Sequence, residues 1–175
     1  MRIALILVGR TLPGFNDLVD RLNQEFQGGV TTAFVDFPMT RSFRSKRSQY
    51  DAEVLLKDLL RFASLGAEKT VFLVREDIFA GSLNFIFGLA SQDGCIVSLA
   101  RLDPRVYGAV KDMKKANSLF KERILKEVLH ELGHTFGLDH CDKRCVMVFS
   151  NSIEDVDAKS ASFCAECEKN LARVL

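Results

Sequence analysis

The chain has 175 residues, 47% of them hydrophobic, and a formal net charge of +1. That is enough apolar material for one domain with a substantial core, and too little charge for broad attraction to nucleic acid or an anionic membrane. No apolar run approaches the length needed to span a bilayer, and residues 3–8 are too short for a signal peptide, with no small-residue cleavage site after them.

Residues 2–8 are a continuous run rich in leucine and β-branched side chains, which predicts a strand covered on both faces and central in its sheet. Pro13 and Gly14 end it. Phe15, Leu18, Val19, Leu22 and Phe26 then recur at helical spacing, predicting an amphipathic helix stopped by Gly28 and Gly29. Residues 30–37 read as a second strand, and this order implies a right-handed crossover with parallel pairing. Residues 40–49 carry Arg41, Arg44, Lys46 and Arg47 without apolar periodicity; a solvated connector explains them better than a grip on an acidic partner. A second helix is expected over 50–65, with Val54, Leu55, Leu59 and Phe62 inward and Gly66 as its stop. A third strand over 69–75 completes two strand-helix-strand units of an open α/β sheet.

Residues 84–88 read as a further strand, and Gln92, Asp93 and Gly94 as the turn into another over 95–102. Such a hairpin pairs antiparallel and belongs at one end of the sheet. Phe85 and Phe87 are expected in the core, and Cys95, apart from the other cysteines, as a buried inert thiol. Residues 104–117 form a connector with a short helical turn. A long helix follows from Ser118, with Ile124, Leu125, Val128, Leu132 and Phe136 facing the core and Glu122, Arg123, Lys126 and Glu127 mainly outward. A polar loop over 151–157 and a last helix over about 160–173 finish the chain.

The chemistry gathers where the long helix ends. His130, Glu131, His134, Gly137 and His140 spell H-E-x-x-H-x-x-G-x-x-H, and they include all three histidines of the chain. Residues four apart on a helix share a face, so His130 and His134 can hold one metal ion from the same side. Glu131 projects beside that ion without binding it, where a base that deprotonates water must sit. Gly137 can adopt the positive φ that stops a helix, and the chain then turns to bring His140 back. Three neutral nitrogens with an open fourth position make the donor set of a catalytic zinc.

Cys141, Cys145, Cys164 and Cys167 follow as two pairs separated by a short spacer, the usual framework of a closed structural zinc site. Disulfides are the alternative, disfavoured because nothing points to an oxidising compartment. Two zinc ions and a cytoplasmic setting are therefore expected. At the helix start, Cys164 and Cys167 gain exposed amides and a dipole that favour thiolates.

The whole run from His130 to Cys167, with Met147 between, resembles the archaemetzincin family of metzincin zinc metallopeptidases. It departs from the family pattern by one residue fewer between Cys141 and Cys145 and one fewer between Met147 and Cys164. The resemblance implies a twisted mixed sheet with helices on its faces, a long active-site helix, a Met-turn at Met147 beneath the zinc ligands, and a C-terminal helix. It further implies one catalytic domain, 1–175, with an upper part over 1–137 and a smaller lower part over 138–175 holding the Met-turn and the cysteine site. A monomer is expected. Extended peptide would bind along the cleft-bordering strand, sought within residues 84–102. Some other metzincins carry a tyrosine two residues after the methionine, which supplies a fifth ligand or binds the oxyanion; Phe149 stands there and leaves that role vacant. The expected activity is hydrolysis of peptide bonds, with Glu131 as general base and acid. Two alternatives stay open: a zinc-stapled binding module with a weak or occluded site, and a zinc amide hydrolase acting on a non-peptide substrate.

Overall fold

The computed structural model describes residues 1–26, 29–63, 65–108 and 110–175. In chain order its elements are β1 (Arg2–Val8), α1 (Phe15–Phe26), β2 (Gly29–Val35), β3 (Phe43–Arg44), β4 (Gln49–Asp51), α2 (Ala52–Phe62), β5 (Lys69–Val74), β6 (Ile78–Phe79), β7 (Gly88–Ala90), β8 (Gly94–Ser98), α3 (Met113–Thr135), α4 (Ile153–Ala158) and α5 (Ala165–Leu171). Single 3-10 turns stand at Met39–Arg41 and Pro104–Tyr107.

The main sheet has the order β2-β1-β5-β8-β7. All neighbours are parallel except β7 and β8, which form the expected antiparallel hairpin at one end. β1 is interior, but β5 takes the middle place. Because strand side chains alternate, β1 sends Ile3, Leu5 and Leu7 to one face, where they meet α1 and α3, and Ala4, Ile6 and Val8 to the other, where they meet α2. This is an α/β fold with a mixed sheet between helices.

Several expected elements take a different form. The first helix ends at Phe26; of its two stop glycines, Gly28 lies outside the described residues and Gly29 already belongs to β2. The second strand closes at Val35. The second helix is shorter than expected because Asp51 caps it, its side chain accepting from Val54 N. Its expected tail includes residue 64, which lies outside the described residues. Phe62 is not inward but 55% exposed, resting on the Phe37 ring at 5.0 Å.

Residues 40–49 are more than a connector. They supply β3 and lead into β4, and with β6 these make a second, three-stranded sheet. Arg41 pairs with Asp58, Arg44 with Asp51, and Arg47 bonds the carbonyls of Leu83 and Asn84. Those bonds explain why 84–88 is not a strand. With the Asn84 carbonyl already taken by the Arg47 guanidinium and the Gln49 amide, the segment crosses from the small sheet, where Ile86 bridges Ile78, to the large one, where Phe87 O accepts from Ser98 N. Pairing proper starts only at Gly88. The following strand stops at Ser98, short of Leu102. Phe87 is buried in the core and Phe85 half-buried against it, edge-on to Phe87 at 5.4 Å.

The long helix begins at Met113 rather than Ser118 because Asp112 caps it, accepting from Lys114 N and Lys115 N. Its charged face is the largest correction: Arg123, Lys126 and Glu127 are buried. What covers them is the segment expected as a polar loop, which folds into α4 behind a capping box made by Ser152 and Asp155. Arg123 forks onto Asp157 at 2.7 and 2.6 Å. Lys126 Nζ donates to the carbonyls of Val156 and Asp157. Lys159 Nζ lies 2.6 Å from Glu127 Oε1, an ion pair whose side chains are 0% and 3% exposed, although its angle is poor for a hydrogen bond. The last helix is also shorter than expected, since Val146 N donates to Ser162 O and Phe163 is buried, which holds the chain before Ala165 in an extended path.

Breaking a buried ion pair on one side leaves a charge without compensation, at a cost of about 3–5 kcal/mol. Lys159→Met should lower the urea midpoint accordingly, and Glu127→Met with Lys159→Met should recover most of the loss. Equal losses in both variants would show that the pair is not the cause.

Candidate active site

The end of α3 sets the geometry. Gly137 takes φ +83°, so its amide reaches back to His134 O at 2.9 Å, and Leu138 N reaches Gly133 O at 3.0 Å. This pair of bonds closes a left-handed helix terminus that only a residue tolerant of positive φ supports. The reversal returns His140 to the face holding His130 and His134.

The ring nitrogens of these three histidines offer donor atoms within 4.8 Å of one another. His130 Nε2 and His134 Nε2 are 3.1 Å apart, close to the roughly 3.3 Å separating two nitrogens on a tetrahedral zinc. Each of these rings is oriented through its other nitrogen. His130 Nδ1 donates to Val146 O at 2.9 Å and His134 Nδ1 to Leu138 O at 2.7 Å, leaving both Nε2 atoms free as neutral donors. Burial drives the His130 pKa down to about 3, with Lys159 adding to the effect, and burial also lowers that of His134. The donor set therefore fits zinc without a proton to displace at His130.

Glu131 is buried beside them, and burial, reinforced by Glu127 and opposed by Lys159, raises its pKa to about 8. Its carboxylate lies against the first residue of β7. A Cβ on Gly88 would stand 2.5 Å from Glu131 Cγ and 2.6 Å from Oε1, so glycine there makes room for the acid. Met147 fills the space under the helix, where a Cβ on Gly133 would collide with its sulfur.

The three histidines, Glu131 and Gly88 line a cavity of about 400 Å³. β7 and the segment before it form one wall, α3 the floor, and Phe149, Ser150 and Asn151 the opposite wall. Two contributors were not foreseen. Glu127 repeats the Glu131 face one turn earlier, a spacing visible in the sequence, whereas nothing local distinguishes Gly88 from any other glycine.

Cys141, Cys145, Cys164 and Cys167 also converge within 4.8 Å. Cys141 Sγ and Cys164 Sγ are 3.9 Å apart, near the roughly 3.8 Å of two thiolates on one tetrahedral zinc. No sulfur is bonded to another, and all five cysteines are free. Amides of Lys143, Met147 and Cys164 point at the cluster's sulfurs. The Cys167 amide pulls the Cys164 thiol down to about 7, whereas burial pushes Cys167 up. The isolated Cys95 is fully buried, which holds its thiol well above the ordinary range.

The model of Peptidase family M54 matches residues 30–173. An archaemetzincin from Pyrococcus horikoshii is 47% identical over 146 residues, covering 75% of this chain and 72% of that one. Among solved structures, an archaemetzincin from Methanopyrus kandleri superposes with a TM-score of 0.82 at 37% identity, covering 99% of this chain and 94% of that one. A zinc-dependent peptidase from Methanocorpusculum labreanum superposes with a TM-score of 0.84 at 28% identity, covering 97% and 99%.

Of the shifted groups, His130 and Glu131 bend the stability of the metal-free protein in opposite directions. His130 refuses a proton that the unfolded ring accepts below 6.5, so stability falls as pH drops from 6.5 towards about 3. Glu131 keeps a proton that the unfolded acid releases above 4.5, so stability falls as pH rises from 4.5 towards about 8. The effects offset between 4.5 and 6.5, and stability should decline on either side. Urea midpoints of chelator-treated protein across pH 3.5–8 check this; Glu131→Gln should remove most of the alkaline decline, and an unchanged slope would refute the assignment.

Proposed function

Because this chain belongs to Peptidase family M54 and is a zinc metallopeptidase, we propose that it hydrolyses peptide bonds in the His130, His134 and His140 cavity with Glu131 as general base and acid. The observation that carries this reading is the convergence of three imidazole nitrogens beside a buried carboxylate in one open cavity. Zinc, when bound there, polarises the scissile carbonyl, acidifies the attacking water and, as a cation, favours ionised Glu131.

The histidines supply three donors, the number typical of catalytic zinc, whereas the four cysteines supply the closed set typical of a structural ion. Glu131 takes the proton of the attacking water and later returns it to the leaving amine. Gly88 lets that carboxylate lie flush against β7. An extended peptide adds to the free edge of this strand, where main-chain pairing fixes its direction with little demand on sequence. The cavity thus lies between an upper part, 1–137, and a lower part, 138–175. Cys141 directly follows His140, so the cysteine cluster clamps the third histidine in place. Free thiols at that cluster suit a reducing compartment, and we place the protein in the cytoplasm. Among the described residues, no helix is long and apolar enough to cross a membrane.

Incubation of the zinc-loaded protein with a diverse peptide library tests the reading. Cleavage should be abolished by chelator and by Glu131→Ala. Gly88→Ala, which displaces the carboxylate, should lower kcat about a hundredfold with zinc content unchanged, in the range seen when a positioned proton-transfer group is lost. Cleavage that survives Glu131→Ala would overturn the role of that residue. In a Cys164→Ser, Cys167→Ser variant, zinc should also leave the histidine site; one firmly held zinc with full hydrolysis would refute the clamp.

A further inference from the structure

The third histidine is anchored differently from the other two. His130 and His134 each donate one ring nitrogen to a backbone carbonyl. His140 is exposed, lies beyond the helix, and among the described residues has no hydrogen bond from either ring nitrogen to protein. Its ring packs against three other rings. The Phe149 centroid is 4.9 Å away at an interplanar angle of 65°, and the two other imidazoles are at 4.8 and 5.4 Å.

Phe149 is well placed for such a contact. Cys141 N donates to Met147 O at 3.0 Å, which fixes the backbones that carry His140 and Phe149 side by side. The Phe149 side chain is 52% exposed, so core burial does not account for its orientation. Edge-to-face packing of aromatic rings has a preferred geometry, and it restricts rotation of the imidazole about its side-chain bonds.

We propose that Phe149 is the positioning residue of His140: its ring does for the third imidazole what the carbonyls of Val146 and Leu138 do for the other two, holding a nitrogen towards the shared point. This rests on the reading of the three histidines as zinc ligands. Partners that orient a ligand change metal affinity by about 10- to 100-fold when removed.

The experiment uses zinc alone as the probe, with stoichiometry and affinity measured by chelator competition on the full chain. The zinc at the cysteine cluster serves as an internal control for folding. Phe149→Ala and Phe149→Leu should weaken the histidine site about tenfold, while Phe149→Trp, which keeps an aromatic ring and adds no metal-binding oxygen, should stay within about twofold. Cobalt loaded into the same site should show altered visible absorption in the first two variants and not in the third. Wild-type affinity in Phe149→Ala overturns the proposal, as does full retention in Phe149→Leu, which would assign the effect to bulk. If Phe149→Ala also loses the cysteine-bound zinc, the Leu and Trp variants decide, because neither leaves a void. A wild-type protein that binds zinc only at its cysteines overturns the ligand reading itself, whereas two bound ions with unchanged variants overturn only the role of Phe149.

Discussion

The three residues from Cys145 to Met147 tie the site together. Val146 O receives His130 Nδ1, while Val146 N donates to Ser162 O. Met147 O receives Cys141 N, and the Met147 side chain fills the hollow that Gly133 leaves in the helix. Cys145 Sγ accepts from the amides of Met147 and Cys164. One short stretch thus touches the active-site helix, the residue after the third histidine and the start of α5. Cys145, Val146 and Met147 are fully buried, so these bonds form away from water, where an unmade one is costly.

A second constraint comes from buried charge. Ordinarily a surface helix turns its charged residues to solvent, but α3 is covered on that side as well. Arg123, Lys126 and Glu127 are matched one for one by Asp157, backbone carbonyls of α4, and Lys159. Such pairs add little net stability compared with apolar packing, yet they tolerate few alternative arrangements. They therefore hold the polar end of α4 in one register over the helix. The same charges reach the catalytic end, since Glu127 and Lys159 act in opposite directions on Glu131.

The third constraint is steric. β7 is an edge strand of three residues, and its first residue has no side chain because the Glu131 carboxylate occupies that space. A peptide paired to this edge would lie next to the acid that serves it. Under the proposed function, one backbone contact would set both substrate position and proton transfer, and the aromatic wall at Phe149 faces it across the cavity.

What the sequence by itself determined was whatever depends on near neighbours. A four-residue spacing places His130 and His134 on one face, Gly137 permits the reversal to His140, and uninterrupted apolar runs mark the parallel strands; each follows from local geometry. The cysteine pairs were legible for the same reason, as a thiolate cage has few workable spacings. The tertiary structure alone decided the rest. Hydrophobic periodicity cannot show that Arg123, Lys126 and Glu127 are buried, because their partners at Val156, Asp157 and Lys159 lie thirty or more positions away in the chain. It cannot show that 84–87 is a crossing rather than a strand, since Arg47 and Gln49, some thirty-five positions earlier, take the Asn84 carbonyl. Nor can it single out Gly88, whose importance arises only where a distant helix brings a carboxylate against its backbone.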